Sequence, residues 1–166
     1  MPSHAVHIEA LLATFPDVRI VWAHRDPFKA TASFLRLNYL SRAVLGCAMD
    51  ATATAGVISN VLRQLSAHIT RPMTARERIG DDRFFDLQYS ALMRDPIGVM
   101  RSLYDWAGDE LTASTERSML DWLQRNPQDR FGVQPYSLDG TGVTRADLES
   151  VFAEYLAAFD IALEGI

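Results

Sequence analysis

Apolar residues recur along the chain with the periods of short strands and of amphipathic helices. Residues 18–23 form a β-branched and aromatic run that predicts a strand, and residues 84–89 predict a second strand. An Asp-Pro pair follows each strand, and this pair favours a helix start with aspartate at the N-cap. The sequence therefore predicts helices from Pro27 and from Pro96, and the second is expected to end at Gly108.

A third helix is predicted from about residue 57, where apolar residues recur at helical spacing. It should end before Pro72, because proline disfavours helical backbone in the residue that precedes it. The charged stretch 74–83 then has the composition of a solvated connection.

Two more helices are predicted in the carboxyl-terminal half. One covers residues 111–126, where Trp122, like Trp106 on the helix before it, lies on an apolar stripe and is expected in the core. The other begins at Thr144, and Asp147 stands three residues later, as in a capping box. Its apolar residues fall on one face.

This order of elements predicts an α/β protein with parallel strands. Two strands are few for a parallel sheet, which is normally covered on both faces and has several strands. We therefore expect a short parallel sheet with a mostly helical remainder, which is part of a larger doubly wound fold. A length of 166 residues favours one domain over residues 1–166.

The composition excludes several classes of protein. Apolar residues make up 48% and charged residues 22%, as in globular proteins, while the formal charge of −5 argues against a protein that coats nucleic acid. No stretch is long enough to span a bilayer, and the first fifteen residues do not have the pattern of a signal peptide. Cys47 is the single cysteine, so no intrachain disulfide forms, and a cytoplasmic location is expected.

The end of the first predicted strand carries the clearest candidate for ligand binding. Ligands of open α/β sheets lie beyond the carboxyl ends of the strands, where helix N-termini favour anions. Arg25 lies at such an end, and its guanidinium suits a phosphate. Ser33 follows eight residues later, roughly 10 Å along the helix, and offers a hydroxyl. Alternatively, Arg25 pairs with a carboxylate and Ser33 faces solvent.

Other motifs are weaker. His24-Arg25-Asp26 resembles the catalytic loop of protein kinases, but Thr31 stands where that loop has asparagine. Asp26 is therefore interpreted as an N-cap. No glycine-rich phosphate loop of a known pattern is present.

Two further residues have alternatives that the sequence leaves open. His4 is a candidate general base or a solvated histidine; with His7 it has the spacing of a metal pair, but no third ligand is near in sequence. Tyr89 either stacks on a base or packs in the interior.

Several segments together resemble the sulfotransferase family that uses 3′-phosphoadenosine-5′-phosphosulfate (PAPS), in particular its bacterial branch with His-Arg-Asp-Pro. They cover nearly the whole chain and include Pro2-Ser3-His4, the segment 11–21, His24-Arg25-Asp26-Pro27 with Ser33, Asp86-Leu87-Gln88-Tyr89, Arg94-Asp95-Pro96 and Tyr136-Ser137-Leu138. The resemblance implies a partial P-loop-type sulfotransferase fold.

The resemblance also implies residue roles. Arg25 and Ser33 would bind the 3′-phosphate of PAPS or of its product 3′-phosphoadenosine-5′-phosphate (PAP), and Tyr89 would lie near the adenine. His4 would deprotonate the hydroxyl of a small-molecule alcohol acceptor. Residues 132–135 stand where relatives carry basic residues, which leaves Arg130 as a substitute phosphate contact.

The family's first strand, phosphate-gripping loop and following helix should precede His4. We therefore expect a domain that is truncated at its N-terminal side, with slow turnover by this polypeptide alone, because donors aimed at the leaving phosphate carry much of the rate. The sequence leaves two functions open: a sulfotransferase, or a non-catalytic remnant that acts as a nucleotide-binding or protein-interaction module. A homo-oligomer, or a missing N-terminal segment that completes the site, is compatible with both.

Overall fold

The computed structural model describes residues 2–127, 130, 132 and 137–164. In chain order its elements are α1 (Pro2–Val6), α2 (Ile8–Thr14), β1 (Ile20–His24), α3 (Pro27–Val44), α4 (Ala51–Ile79), a 3₁₀ turn (Asp81–Arg83), β2 (Phe84–Gln88), α5 (Tyr89–Arg94), α6 (Pro96–Ala107), α7 (Ala113–Arg125) and α8 (Arg145–Phe159). These elements form two compact units.

The first unit is helical and holds the main core. It comprises the described residues of Met1–Arg19, Arg25–Arg83 and Tyr136–Ile166. The long helix α4 packs against α1, α2, α3 and α8, and α3 also packs against α8. Side chains from α3, α4, α8 and the segment before α8 are buried together: Phe28, Leu35, Val57, Val61, Val143, Leu148 and Phe152. This cluster holds the N-terminal half of α3 in place.

Helix α4 is longer than the sequence predicts, because Pro72 lies inside it and does not end it. An interior proline costs about 3 kcal/mol, since it removes a backbone hydrogen bond and crowds the preceding turn. Pro72 is buried on the same face as Val57 and Val61, and this packing offsets the cost. The expected end before Pro72 is therefore wrong, and helix continues through most of the stretch expected to be a solvated connection.

Two arginines of α4 bind the first two helices. Arg71 Nη1 donates to the carbonyl oxygen of Val6 at 2.6 Å, and Arg78 forms an ion pair with Glu9. Charged composition alone indicated solvent exposure. The side chains do reach the surface, but their backbone is helical.

The second unit holds the sheet. It comprises Ile20–His24 and the described residues of Phe84–Pro135. Strands β1 and β2 are parallel, with Ile20 opposite Phe84 and His24 opposite Gln88. The predicted fold class is confirmed: the described chain contains a short parallel sheet and is otherwise mostly helical.

The helix ends follow the predicted local rules. Asp95 caps α6, and its carboxylate accepts a hydrogen bond from the Gly98 N–H at 2.9 Å. Gly108 ends that helix with φ of 72°, a left-handed conformation that glycine adopts without steric cost. Thr144 and Asp147 form the expected capping box at the start of α8.

The two tryptophans expected in the core have different environments. Trp106 is half-buried, and its ring lies 5.6 Å from the ring of Phe85. Trp122 is 61% exposed, so the expectation for it is wrong. An apolar stripe shows which residues share a helix face, but the packing of the unit decides whether that face is covered.

Candidate functional site

The turn between β1 and α3 is built around a buried aspartate. Asp26 is 1% exposed, and its Oδ1 accepts a hydrogen bond from the Phe28 N–H at 2.8 Å. Pro27 is the first residue of α3. The interpretation of Asp26 as an N-cap is confirmed, and this cap fixes where the helix starts relative to Arg25.

The guanidinium of Arg25 is bound to a carboxylate from the segment after α8. Its Nε donates to Oε1 of Glu164 at 3.0 Å, and its Nη2 donates to Oε2 at 3.3 Å. The side chains of Arg25 and Glu164 are 34% and 33% exposed. The structure thus shows the carboxylate pairing that the sequence left open, while the phosphate-binding role of Arg25 stays a prediction.

Glu164 is also held through its backbone. Its N–H donates to Oδ2 of Asp26 at 2.8 Å. Asp160 ends α8 with φ of 46°, and Ile161 is buried, so the chain turns back at this point. The carboxylate of Asp26 therefore joins the first turn of α3 to the segment that follows α8.

Ser33 lies on α3, as predicted, and is half-buried. Lys29 is also half-buried and lies four residues earlier, so the two side chains share one face of the helix. Sequence reasoning missed Lys29, although its four-residue spacing to Ser33 was a signal that could have found it. This helix face offers an ammonium and a hydroxyl.

The other predicted site residues lie on separate elements. His4 is exposed on α1 of the first unit. Tyr89 is half-buried in the second unit, where it begins α5 and does not end the strand as predicted. Arg130, also in the second unit, is exposed and donates from Nη1 to Oδ1 of Asn126 at 2.9 Å. The roles of His4, Tyr89 and Arg130 stay predictions, and Tyr136 of the predicted C-terminal loop lies outside the described residues.

A histidine–aspartate pair links the two strands and was not predicted. His24 is fully buried, and its Nε2 lies 2.9 Å from Oδ1 of Asp86. Asp86 lies opposite Trp22 in the parallel register, two positions before the partner of His24. The rings of Trp22 and His24 lie 4.9 Å apart. Only the strand register could have indicated this pair, which joins the two strands of the sheet.

A groove of about 380 Å³ lies between the first two helices and α4 in the first unit. Its lining includes His7, Glu9, Thr70, Arg71 and Thr74. It is mixed in charge and open. Among the described residues, no group of three or more histidine, cysteine, aspartate and glutamate side chains is placed to hold a metal ion.

Among the described residues, Asp147 and Arg101 have shifted pKa values. The Thr144 hydroxyl, and then its backbone N–H, donate to Asp147 and lower the pKa of that carboxyl. The hydrogen bond and charge of Glu116 raise the pKa of Arg101.

No helix in the described part of the chain combines the length and hydropathy that crossing a bilayer requires.

Comparison with known proteins places this fold in a family. A model of the sulfotransferase family matches residues 1–113 of the 166. The chain therefore belongs to the sulfotransferase family. Among curated relatives, it is 27% identical over 107 residues to omega-hydroxy-beta-dihydromenaquinone-9 sulfotransferase Stf3 of Mycobacterium tuberculosis strain CDC 1551, and equally to Stf3 of Mycobacterium bovis.

Solved structures agree with this family. The crystal structure of sulfotransferase STF9 from Mycobacterium avium superposes with a TM-score of 0.87 at 49% identity, covering 100% of this chain. Sulfotransferase STF1 from Mycobacterium tuberculosis H37Rv superposes with a TM-score of 0.70 at 24% identity over 93% of this chain, which shows the shared fold.

The chain spans only part of these proteins. The match covers 64% of this chain but 27% of the Stf3 relatives. It covers 42% of STF9 and 38% of STF1.

Proposed function

We propose that this chain carries the 3′-phosphate-binding part of a PAPS-dependent sulfotransferase, which transfers a sulfuryl group to the hydroxyl of a small-molecule acceptor. Membership of the sulfotransferase family supports the reaction class. The 49% identity to STF9 supports the assignment of the turn between β1 and α3 to the same place in the fold as the corresponding turn of STF9.

The observation that carries the proposal is that the Arg25 guanidinium lies beside the start of α3 with its Nε and Nη2 directed at an anionic group, which in this structure is the carboxylate of Glu164. A guanidinium fork that holds two oxygens of one carboxylate is also shaped to hold two oxygens of one phosphate. The fork lies directly before the N-terminus of α3, where the helix dipole favours anions. The fork and the helix N-terminus therefore fit an anionic phosphate ester in place of the Glu164 carboxylate.

Ser33 and Lys29 extend the proposed site along α3. In this proposal the Ser33 hydroxyl donates to the same 3′-phosphate, and the Lys29 ammonium adds positive charge on the same helix face. A phosphate held by fixed donors in this way orients the nucleotide, which is the main protein contribution to transfers of this kind.

His4 is the proposed general base. It accepts the proton of the acceptor hydroxyl, and the acceptor oxygen then forms a bond to sulfur. The bond between sulfur and the bridging oxygen of the 5′-phosphate breaks, and PAP leaves with the electron pair. An exposed imidazole is suited to this step, because its unprotonated ring nitrogen accepts a proton and is within reach of a ligand from solvent.

The acceptor is proposed only as a class. The names of the Stf3 relatives state a hydroxylated dihydromenaquinone as the molecule on which those proteins act. For the acceptor of this chain we propose the same reacting group, an alcohol hydroxyl, and no other feature of that molecule.

Calorimetric titration of PAP tests the nucleotide site. We expect binding by the wild-type protein and at least about tenfold weaker binding by Arg25→Ala, because the charged fork is lost. Arg94→Ala is the matched control, since Arg94 stands in the second Arg-Asp-Pro tripeptide. It should leave the affinity unchanged. Absence of binding by the wild type, or equal affinity in Arg25→Ala, contradicts the proposal.

A non-catalytic module is the second candidate. Within the described residues the sheet has two strands, so each has an edge that no strand covers, and such edges accept strands from other chains. A sulfate-transfer assay with PAPS separates the candidates: PAP binding with no transfer to any alcohol tested favours the module. A single domain over residues 1–166, a cytoplasmic location and a homo-oligomer stay predictions.

A further inference from the structure

Glu164 occupies the donors that the proposed function assigns to a phosphate. Both of its carboxylate oxygens accept hydrogen bonds from the guanidinium of Arg25, at 3.0 and 3.3 Å. The same Nε and Nη2 edge cannot hold a carboxylate and a phosphate at once. A nucleotide that binds this edge must therefore first displace Glu164.

We propose that Glu164 is an affinity-tuning residue of the Arg25 site: an internal carboxylate that competes with the 3′-phosphate of a ligand for the guanidinium. This inference rests on the proposed function. A nucleotide without a 3′-phosphate places no anion at this fork, so Glu164 does not compete with it. A phosphate dianion carries more charge than the carboxylate and competes with it for the fork.

The exchange requires little rearrangement. About a third of each side chain is exposed, so water and ligand reach the pair from the surface. The backbone N–H of Glu164 is bound separately to the buried carboxylate of Asp26 at 2.8 Å. Rotation of the Glu164 side chain therefore withdraws the carboxylate from Nε and Nη2 of Arg25 while the backbone of the segment stays in place.

The size of the effect follows from the exposure of the pair. With an internal competitor, the apparent affinity equals the intrinsic affinity multiplied by the fraction of molecules in which the competitor has left the site. Partly exposed ion pairs are modest in strength, which corresponds to an affinity change of up to about fivefold. Glu164 therefore tunes the affinity for a 3′-phosphate and does not block the site.

The test compares two nucleotides and four proteins by calorimetry: the wild type, Glu164→Gln, Glu164→Asp and Glu154→Gln. PAP carries a 3′-phosphate and adenosine 5′-phosphate does not. Glu164→Gln keeps the shape of the side chain and the N–H that binds Asp26, but removes the charge. Glu154→Gln removes the same charge from an exposed position of α8 and controls for net charge.

We expect Glu164→Gln to bind PAP about three- to fivefold more tightly than the wild type. Its affinity for adenosine 5′-phosphate, and the affinities of Glu154→Gln, should not change. Glu164→Asp has a side chain that is one methylene shorter, and its affinity for PAP should lie between those of the wild type and Glu164→Gln.

The outcomes separate this inference from the proposed function. If the wild type binds PAP and Glu164→Gln binds it with the same affinity, Glu164 is not a competitor and this inference alone is wrong. An equal gain for both nucleotides, or the same gain in Glu154→Gln, also overturns it, because a general charge effect then explains the result. If neither the wild type nor Glu164→Gln binds PAP, the proposed nucleotide site itself is wrong.

Discussion

Asp26 and Asp95 stand at the same position of two copies of one tripeptide, Arg-Asp-Pro, and their replacement by alanine should have unequal effects. Asp95 is exposed and accepts a hydrogen bond from the Gly98 N–H. Asp26 is buried and accepts hydrogen bonds from two backbone N–H groups that are far apart in sequence, those of Phe28 and Glu164.

The expected magnitudes follow from these partners. Loss of an aspartate N-cap costs about 1 kcal/mol, so Asp95→Ala should lower the free energy of unfolding by about that amount. Asp26→Ala loses the same cap and also leaves the N–H of Glu164 without this acceptor, which adds about 1–3 kcal/mol. The total for Asp26→Ala is therefore about 2–4 kcal/mol.

Urea unfolding measures the difference. With an m-value of about 2 kcal/mol/M, the midpoint should fall by about 0.5 M for Asp95→Ala and by about 1–2 M for Asp26→Ala. Asp26→Asn should fall between the wild type and Asp26→Ala, since the amide has a single acceptor oxygen to share between the two N–H groups. Equal midpoints for Asp26→Ala and Asp95→Ala would refute the reasoning, because the contact with Glu164 would then contribute nothing.

Two further predictions concern His24 and Asp147. Asp86→Ala should lower the free energy of unfolding by about 1–3 kcal/mol, because buried His24 loses a hydrogen-bond partner. Asp86→Asn keeps an oxygen at this position and should lower the free energy of unfolding by less. Equal urea midpoints for the two variants would count against this contact. The pKa of Asp147 is lowered in the folded state, so its ionised carboxylate stabilises that state at pH values above the ordinary pKa of 3.8. This stabilisation disappears as the pH falls through the lowered folded-state pKa. Asp147→Asn should therefore be less stable than the wild type at about pH 7, and the difference in stability should be smallest at about pH 2. A difference in urea midpoint that does not change with pH would contradict this assignment.

The local features of this fold were predictable because their signals lie within a few residues of one another. Both strands, and the starts of α3, α6 and α8, follow from short apolar runs rich in β-branched or aromatic residues, from Asp-Pro pairs and from the Thr144–Asp147 capping box. The position of Arg25 between a strand and a helix followed in the same way. The resemblance based on these motifs predicted the sulfotransferase family, which the comparisons confirm.

The tertiary structure decided everything that depends on which elements meet. Pro72 remains helical because its face of α4 is buried, and Trp122 is exposed because the packing of its unit leaves that stripe open. Glu164 lies 139 residues from Arg25 in the chain, and no local pattern links them. Short-range signals set where helices and strands begin, since backbone hydrogen bonding and capping act within about one turn. The contact between the Arg25 guanidinium and Glu164 forms because the segment after α8 packs against the start of α3.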